Sequence, residues 1–189
     1  MVETGDYKSS QGNVAVTISP KKITAPTAVS NLVYNGSVQT GVVASTGYTV
    51  TNNTGTKANT YTATATLTDK ANTTWSDGTT KDKSISWTIA KKGLAITAYS
   101  TTWVSGDGRT YARTNYATGV NSETIALTYK PYTNTAGSYT YATSSASGKY
   151  TLTLSSDNYS VSSAGTFTLS ASGVTIPTLS GSYTYNGSS

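Results

Sequence analysis

The sequence contains neither cysteine nor histidine among its 189 residues. Zinc, copper, haem and iron–sulfur centres therefore lose their usual ligands, and nucleophiles built on Cys or on a Ser–His pair are excluded. The lack of cysteine also excludes a disulfide framework, which leaves the cellular compartment open. We expect no metal and no other cofactor.

Charged residues are scarce as well, at 11% of the chain, with 13 basic side chains against 8 acidic ones. The basic residues are scattered apart from Lys21-Lys22 and Lys91-Lys92, whereas nucleic-acid binding usually requires a basic stripe. No pair of carboxylates stands in the setting that glycosidases use, and no apolar run is long enough to span a membrane. We therefore expect a protein that is not an enzyme, binds no nucleic acid and inserts no segment in a membrane.

Apolar and polar residues alternate along much of the chain with the period of two that is typical of half-buried β-strands. The alternating apolar sets are Val14, Val16 and Ile18; Tyr61, Ala63, Ala65 and Leu67; Ile85, Trp87 and Ile89; Leu94, Ile96 and Ala98; Ile125, Leu127 and Tyr129; Tyr150, Leu152 and Leu154; and Phe167, Leu169 and Ala171. Tight-turn dipeptides lie between them, namely Asn35-Gly36, Asp77-Gly78 and Asp107-Gly108. Short alternating strands separated by such turns predict an all-β fold of sandwich or barrel type.

Several motifs recur along the chain, which is typical of an array of similar modules. Two of them return at one common spacing: Ile23-Thr24-Ala25-Pro26 as Val174-Thr175-Ile176-Pro177, and Tyr34-Asn35-Gly36-Ser37 as Tyr185-Asn186-Gly187-Ser188. Near the N-terminus, Asp6-Tyr7 resembles Asn158-Tyr159, and Val14-Ala15-Val16 resembles Phe167-Thr168-Leu169. Inside this long period, Ala58-Asn59-Thr60-Tyr61-Thr62 resembles Ala136-Gly137-Ser138-Tyr139-Thr140, so the period holds two related modules. Together the matches predict the closing strand of a preceding module and a linker in 1–22, a first module in 23–91, a second in 92–172, and the opening strand of a following module in 173–189.

The predicted modules resemble known repeats. The first resembles bacterial Ig-like repeats through Tyr34-Asn35-Gly36, Ala58-Asn59-Thr60-Tyr61-Thr62, Trp75-Ser76-Asp77-Gly78-Thr79 and Ser86-Trp87-Thr88-Ile89. The second resembles the related MBG/YDG-type surface repeats through Gly93-Leu94-Ala95-Ile96-Thr97-Ala98, Asn158-Tyr159 and Gly165-Thr166-Phe167-Thr168-Leu169. Such repeats occur in large surface proteins of gut Firmicutes and in virion proteins of their phages. The resemblance implies tandem Ig-like β-sandwich modules, although Asn59 stands where such repeats usually have Gly.

The candidates for ligand contact are aromatic side chains near turns, because flat rings bind the faces of sugars, and charged side chains of the end loop 104–110. The candidate contacts are Trp103, Asp107, Arg109 and Trp75. The alternative for the tryptophans is core packing, which the alternation of Trp87 with Ile85 and Ile89 predicts directly. Core packing is also the favoured interpretation of Trp75 and Trp103.

Two functions fit these observations. The first is a non-catalytic spacer or stalk segment of a bacterial surface protein, an extracellular protein of the adhesin type, whose partners are neighbouring Ig-like modules. The alternative is a binding or decoration module of an adhesin or a phage virion that holds a host glycan or protein through end loops such as 104–110. Residues 174–188 are also predicted to offer a strand to a neighbouring copy, giving head-to-tail association. The competing explanation is that the chain is a piece of a longer array whose boundaries cut through modules.

Overall fold

A computed structural model describes residues 12, 15–104, 112–133 and 135–172, with the side chains of 103 and 104 left out. The regular structure of these residues is β-strand, with one short 3-10 turn at Val120–Ser122. The all-β fold class predicted from the alternation is therefore confirmed. Most of the predicted end segments, 1–22 and 173–189, lies outside the described residues.

Sixteen strands follow one another along the described residues. The first eight are β1 (Lys21–Ile23), β2 (Leu32–Val33), β3 (Gln39–Thr40), β4 (Tyr48–Thr51), β5 (Thr54–Gly55), β6 (Asn59–Leu67), β7 (Thr73–Trp75) and β8 (Lys83–Ala90). The next eight are β9 (Lys92–Ile96), β10 (Tyr99–Val104), β11 (Arg113–Thr118), β12 (Thr124–Pro131), β13 (Gly137–Tyr141), β14 (Lys149–Leu154), β15 (Tyr159–Ala164) and β16 (Phe167–Ser172).

The strands fall into two compact units. Unit 1 comprises the described residues of Met1–Val29, Thr40–Thr54 and Tyr61–Trp87. Unit 2 comprises those of Ser30–Gln39, Gly55–Thr60 and Thr88–Ser189. Three segments of the predicted first module, 30–39, 55–60 and 88–91, thus group with the residues of the predicted second module.

Unit 1 packs around a small aromatic core. Trp75, at the end of β7, is 1% exposed, and its ring lies 5.8 Å from that of Tyr48 on β4. The other residues of this core are Ala65 and Leu67, with Ile23, Ala25, Val50 and Ile85 packed against them. The alternation along β6 explains the arrangement, because a strand sends successive side chains to opposite faces and Ala63, Ala65 and Leu67 share the buried one.

Unit 2 contains a six-stranded sheet in the order β10-β16-β13-β14-β12-β11 and a two-stranded sheet of β15 and β9. The strand β9 continues after two residues into β10, and β15 continues after two residues into β16. Both pairs are parallel, β9 with β15 and β10 with β16. The two chain segments therefore run side by side as one parallel ribbon through both sheets. At the bend of this ribbon, a Cβ on Gly165 would lie 2.5 Å from the backbone nitrogen of Ala98, so the close approach requires glycine there.

The core of unit 2 combines aliphatic side chains with a cluster of aromatic rings. Phe167 on β16 is 0% exposed and lies between the rings of four tyrosines, with centroid distances from 5.3 to 6.2 Å. These tyrosines are Tyr99, Tyr129, Tyr139 and Tyr150. Offset and edge-on ring pairs add about 0.5–1.5 kcal/mol each to the burial of apolar area. Aromatic rings therefore supply a large share of this core.

The predicted buried faces are largely present. Buried members of the alternating sets include Trp87, Ile89, Leu94, Ile96, Ile125, Leu127, Tyr150 and Leu169. The set at the N-terminus differs, because Val16 is 79% exposed and Ile18 is 90% exposed. The turns at Asn35-Gly36 and Asp77-Gly78 are confirmed by positive φ values of 75° at Gly36 and 81° at Gly78. The Asp107-Gly108 turn lies outside the described residues.

Candidate functional site

The candidate ligand contacts are not brought together as a site in the described residues. Trp75 is 1% exposed, and its indole Nε1 donates a hydrogen bond to the carbonyl of Lys81 at 2.7 Å. A ligand-contact role does not fit this burial, and the core-packing alternative describes Trp75. Trp103 lies on β10 opposite Ala171 of β16, with its side chain outside the described residues. Asp107 and Arg109 also lie outside them.

A polar cluster of two tyrosines and one carboxylate lies in unit 2, and we call it the Tyr–Glu–Tyr joint. The hydroxyl of Tyr159, which begins β15, donates to Oε2 of Glu123 at 2.6 Å. The hydroxyl of Tyr34, which follows β2, donates to Oε1 of the same carboxylate. The two rings meet edge to face, with centroids 5.4 Å apart and planes at 79°. Both carboxylate oxygens of Glu123 thus have a phenol partner.

The 3-10 turn at Val120–Ser122 holds Glu123 in this position. The backbone nitrogen of Val120 donates to the Tyr159 hydroxyl at 2.8 Å, so this hydroxyl both accepts and donates. Gly119 lies directly against the phenol, because a Cβ at this position would lie 2.3 Å from the Tyr159 oxygen. The backbone of the turn and the tyrosine side chain therefore position the carboxylate together.

The hydrogen bonds of the joint shift the pKa values of its members in opposite directions. The phenol of Tyr159, and after it that of Tyr34, lowers the pKa of the Glu123 carboxyl below its ordinary value. The hydrogen bond to Glu123 raises the pKa of Tyr34 to about 12. Burial, and then the hydrogen bond to Glu123, raises the pKa of Tyr159. The joint is thus most favourable with one carboxylate and two neutral phenols.

The joint connects distant parts of the sequence within unit 2. Tyr34 belongs to the segment 30–39, whereas Glu123 and Tyr159 belong to the predicted second module. A second connection supports it, because the side-chain oxygen of Asn158 accepts a hydrogen bond from the backbone nitrogen of Ala58 at 2.9 Å. Chemically, a carboxylate with both oxygens occupied by phenols is an anchoring group, since both oxygens that a general base would offer to a substrate already have partners.

Sequence reasoning did not find the joint. Glu123 is one of the eight acidic residues of the sequence, and a single acid carries no pattern that points to a partner far along the chain. A signal did exist in the repeats. Tyr34 recurs as Tyr185 and Tyr159 corresponds to Tyr7, so both phenols belong to repeated motifs.

A cavity of about 220 Å³ lies elsewhere in unit 2, between β9 and β11. Its lining comprises Leu94, Ala95, Ile96 and Thr97 from β9 and the residue after it, Asn115, Tyr116, Ala117 and Thr118 from β11, and Leu127 and Tyr129 from β12. The hydroxyl of Tyr129 is buried and has no hydrogen-bond partner in the described residues. Burial raises the pKa of this phenol, and the nearby Asn115 side chain offsets part of the effect without forming a hydrogen bond of good geometry.

The described residues contain no group of three or more His, Cys, Asp or Glu side chains that would hold a metal ion. They also contain no helix that is long and apolar enough to cross a membrane. A scan against protein-family models found no match, and searches of curated proteins and of solved structures likewise found none.

Proposed function

We propose that this chain is a non-catalytic, force-bearing spacer segment of a surface protein built from tandem Ig-like modules. The observation that carries the proposal is the parallel ribbon of unit 2. Its two sides are the strands that open the predicted second module, β9 and β10, and the strands that close it, β15 and β16.

The parallel direction of the two sides of the ribbon determines where the chain enters and leaves the predicted second module. Because the opening and closing strands are parallel, residue 92 and residue 172 lie at opposite ends of it. Modules with entry and exit at opposite ends can be joined in series through short linkers. Tension applied along such a series pulls the two sides of the ribbon past each other. The ladder hydrogen bonds are then loaded together, whereas a ladder pulled open from one end breaks them one after another.

The Tyr–Glu–Tyr joint supports the same proposal. It fastens Tyr34, from the predicted first module, to Glu123 and Tyr159, from the second. A linker of the exposed and flexible kind would leave these residues without mutual contacts. The recurrence of both tyrosines, as Tyr185 and Tyr7, is what a joint repeated along an array requires.

The resemblance to MBG/YDG-type and other Ig-like repeats supports an extracellular location, on a bacterial cell surface or in a phage virion. The same resemblance is compatible with a binding or decoration module. The end loop proposed for that role, 104–110, begins at the end of β10 and otherwise lies outside the described residues, so the spacer is the function that the described geometry favours.

Single-molecule pulling in two directions tests the proposal. The chain has no cysteine, so engineered cysteines give unique attachment points on the full chain. Handles on Lys92→Cys and Ser172→Cys load the ribbon in shear. Handles on Lys92→Cys and Ser160→Cys load it from one end, because Ser160 lies opposite Gly93, next to Lys92. We expect an unfolding force at least about twofold higher in shear, since forced unfolding is governed by the unfolding barrier along the pulling direction.

The two pairs form a matched comparison, because all three positions are exposed and both double variants share Lys92→Cys. Equal unfolding forces in the two directions would mean that the ribbon is not the force-bearing element, and the proposal would be wrong.

A further inference from the structure

The cavity between β9 and β11 is bordered by two strand edges that have no partner among the described strands. Among the described strands, β9 has β15 as its one hydrogen-bonded neighbour, and β11 has β12. The cavity contacts four consecutive residues on each side, 94–97 and 115–118. Successive side chains of a strand point to opposite faces, so four consecutive residues cannot all be contacted from one face. The cavity therefore borders the backbone edge of each strand as well as one of its faces. We call this feature the β9–β11 seam.

The backbone groups of β9 show which of its residues face the seam. Lys92 donates from its backbone nitrogen to Asn158, and the carbonyl of Ile96 accepts from Gly165, so even-numbered residues point toward β15. Alternate residues of a strand direct their N–H and C=O groups to opposite edges. The N–H and C=O groups of Ala95 therefore face away from β15. A free edge of this kind is a template for another strand.

The interior of the seam is suited to small aliphatic side chains. At about 220 Å³ it is smaller than the pockets of roughly 300–1,000 Å³ that hold drug-sized ligands. Leu94, Ile96 and Leu127 give it an apolar lining, and Tyr116 stands 64% exposed on its β11 side.

The same chain carries an exposed apolar segment. Residues 15–19 have no regular structure and are exposed, with Val16 at 79% and Ile18 at 90%. In an extended conformation these two β-branched side chains share one face. The segment thus has β-branched apolar side chains of the kind that the apolar lining of the seam would accommodate.

We propose that residues 15–19 of one copy add as a strand to the β9–β11 seam of a second copy. Backbone hydrogen bonds to the two free edges provide affinity, and Val16 and Ile18 fill the cavity, which is the mode of recognition known as β-strand addition. The proposal goes beyond the spacer function and does not depend on it, because the ribbon of β9, β10, β15 and β16 is complete within one copy. It predicts copies joined through the N-terminal segment of each.

Disulfide trapping tests the contact directly in the cysteine-free chain. One full-length variant carries Ile18→Cys and a second carries Tyr116→Cys, and the two are mixed under mild oxidation. The matched control replaces the first with Val38→Cys, which is 69% exposed but lies outside the segment. We expect the Ile18→Cys pair to form the mixed dimer at least about tenfold faster than the control, because strand addition raises the effective concentration of the two thiols. Equal rates would overturn the proposal.

Sedimentation velocity over a range of concentrations gives an independent readout. The wild-type chain should associate as its concentration rises, and Val16→Asp with Ile18→Asp should weaken this association at least about tenfold, since two charges would enter an apolar cavity. The control is Val38→Asp with Val43→Asp, at two other exposed valines, and it should associate as the wild type does. A wild-type chain that stays monomeric, or two double variants with the same association, would contradict the inference.

Discussion

Gly41 packs against the indole of Trp87, and this contact leaves no room for a side chain at position 41. A Cβ there would lie 1.9 Å from Cδ2 and Cε3 of Trp87. The indole itself is held on its other sides, stacked on Tyr61 at 4.5 Å and bonded through Nε1 to the carbonyl of Asn52 at 3.3 Å. Movement of the ring would therefore break one of these contacts.

We expect Gly41→Ala to lower the free energy of unfolding by about 1–3 kcal/mol, the usual cost of overpacking a core. Chemical denaturation followed by tryptophan fluorescence measures the change. Gly12→Ala is the control, because a Cβ on Gly12 meets no atom within 4 Å, and it should change the stability by less than about 0.5 kcal/mol. A Gly41→Ala variant as stable as this control would show that the Trp87 environment can relax.

The burial of a single residue could be predicted from the sequence where the neighbouring residues alternate in polarity. The alternation of Trp87 with Ile85 and Ile89 predicted a core position, and Trp87 is 2% exposed. Trp75 offered a weaker pattern, since its place beside the Asp77-Gly78 turn suits either an exposed ring or a buried one. Its burial was decided by Tyr48 and Leu67, and nothing near Trp75 in the sequence indicates them.

Elements that are short and separate in sequence are held together by the Tyr–Glu–Tyr joint, which links the end of β2, the turn before β12 and the start of β15.

The contribution of the joint to the stability of the fold depends on pH. The pKa of Glu123 is lowered from 4.5, so its contribution to stability is present above pH 4.5 and lost as the pH falls through the lower value. The pKa of Tyr34 is raised from 10.0 to about 12, so its contribution is complete below pH 10 and lost as the pH approaches 12.

Tyr34→Phe combined with Tyr159→Phe should remove this dependence. We expect the stability difference between wild type and double variant to be largest from about pH 5 to 10 and to shrink on both sides. Urea denaturation across this pH range measures it. Tyr116→Phe removes an exposed phenol outside the joint and serves as the control. The difference in free energy of unfolding between this variant and the wild type should not show a maximum from about pH 5 to 10. If the stability difference between the wild type and the double variant is the same at every pH, the ionisation of Glu123 and the tyrosines does not contribute to the stability of the joint.

Element-scale prediction from sequence was limited to strand faces and turns. A period of two identifies which side chains share a face, and it located the buried residues of β6, β8, β9, β12 and β16. It contains no information about which strand lies next to which. The parallel pairing of β10 with β16 and the two free edges at the seam therefore emerge only from the arrangement of distant segments.

At the scale of the molecule, the described residues form two compact units, with one aromatic cluster around Trp75 in unit 1 and another around Phe167 in unit 2. We expect a core substitution in one unit to act mainly on that unit, because its lost contacts are internal. Phe167→Ala should destabilise unit 2 by about 3–5 kcal/mol, the usual cost of removing a fully buried ring, and Gly41→Ala should act on unit 1.

Hydrogen exchange measured by mass spectrometry distinguishes the two responses. Phe167→Ala should accelerate exchange in β12, β14 and β16 more than in β4 and β7, and Gly41→Ala should do the reverse. Ser170→Ala, at an exposed position of β16, is the control and should leave exchange unchanged. If either core variant accelerates exchange equally in both units, the chain unfolds as one cooperative body.

The amino-acid sequence by itself determined the all-β fold class, the buried faces of most strands and the turns at Asn35-Gly36 and Asp77-Gly78, because each depends on neighbouring residues. Tertiary structure alone decided the partners of Glu123, the grouping of 30–39, 55–60 and 88–91 with unit 2, and the cavity at the seam. These features depend on side chains that are far apart along the chain, and a single acid or a free strand edge has no local signature. The physical reason is that pairing and packing are long-range, whereas alternation and turn chemistry are short-range.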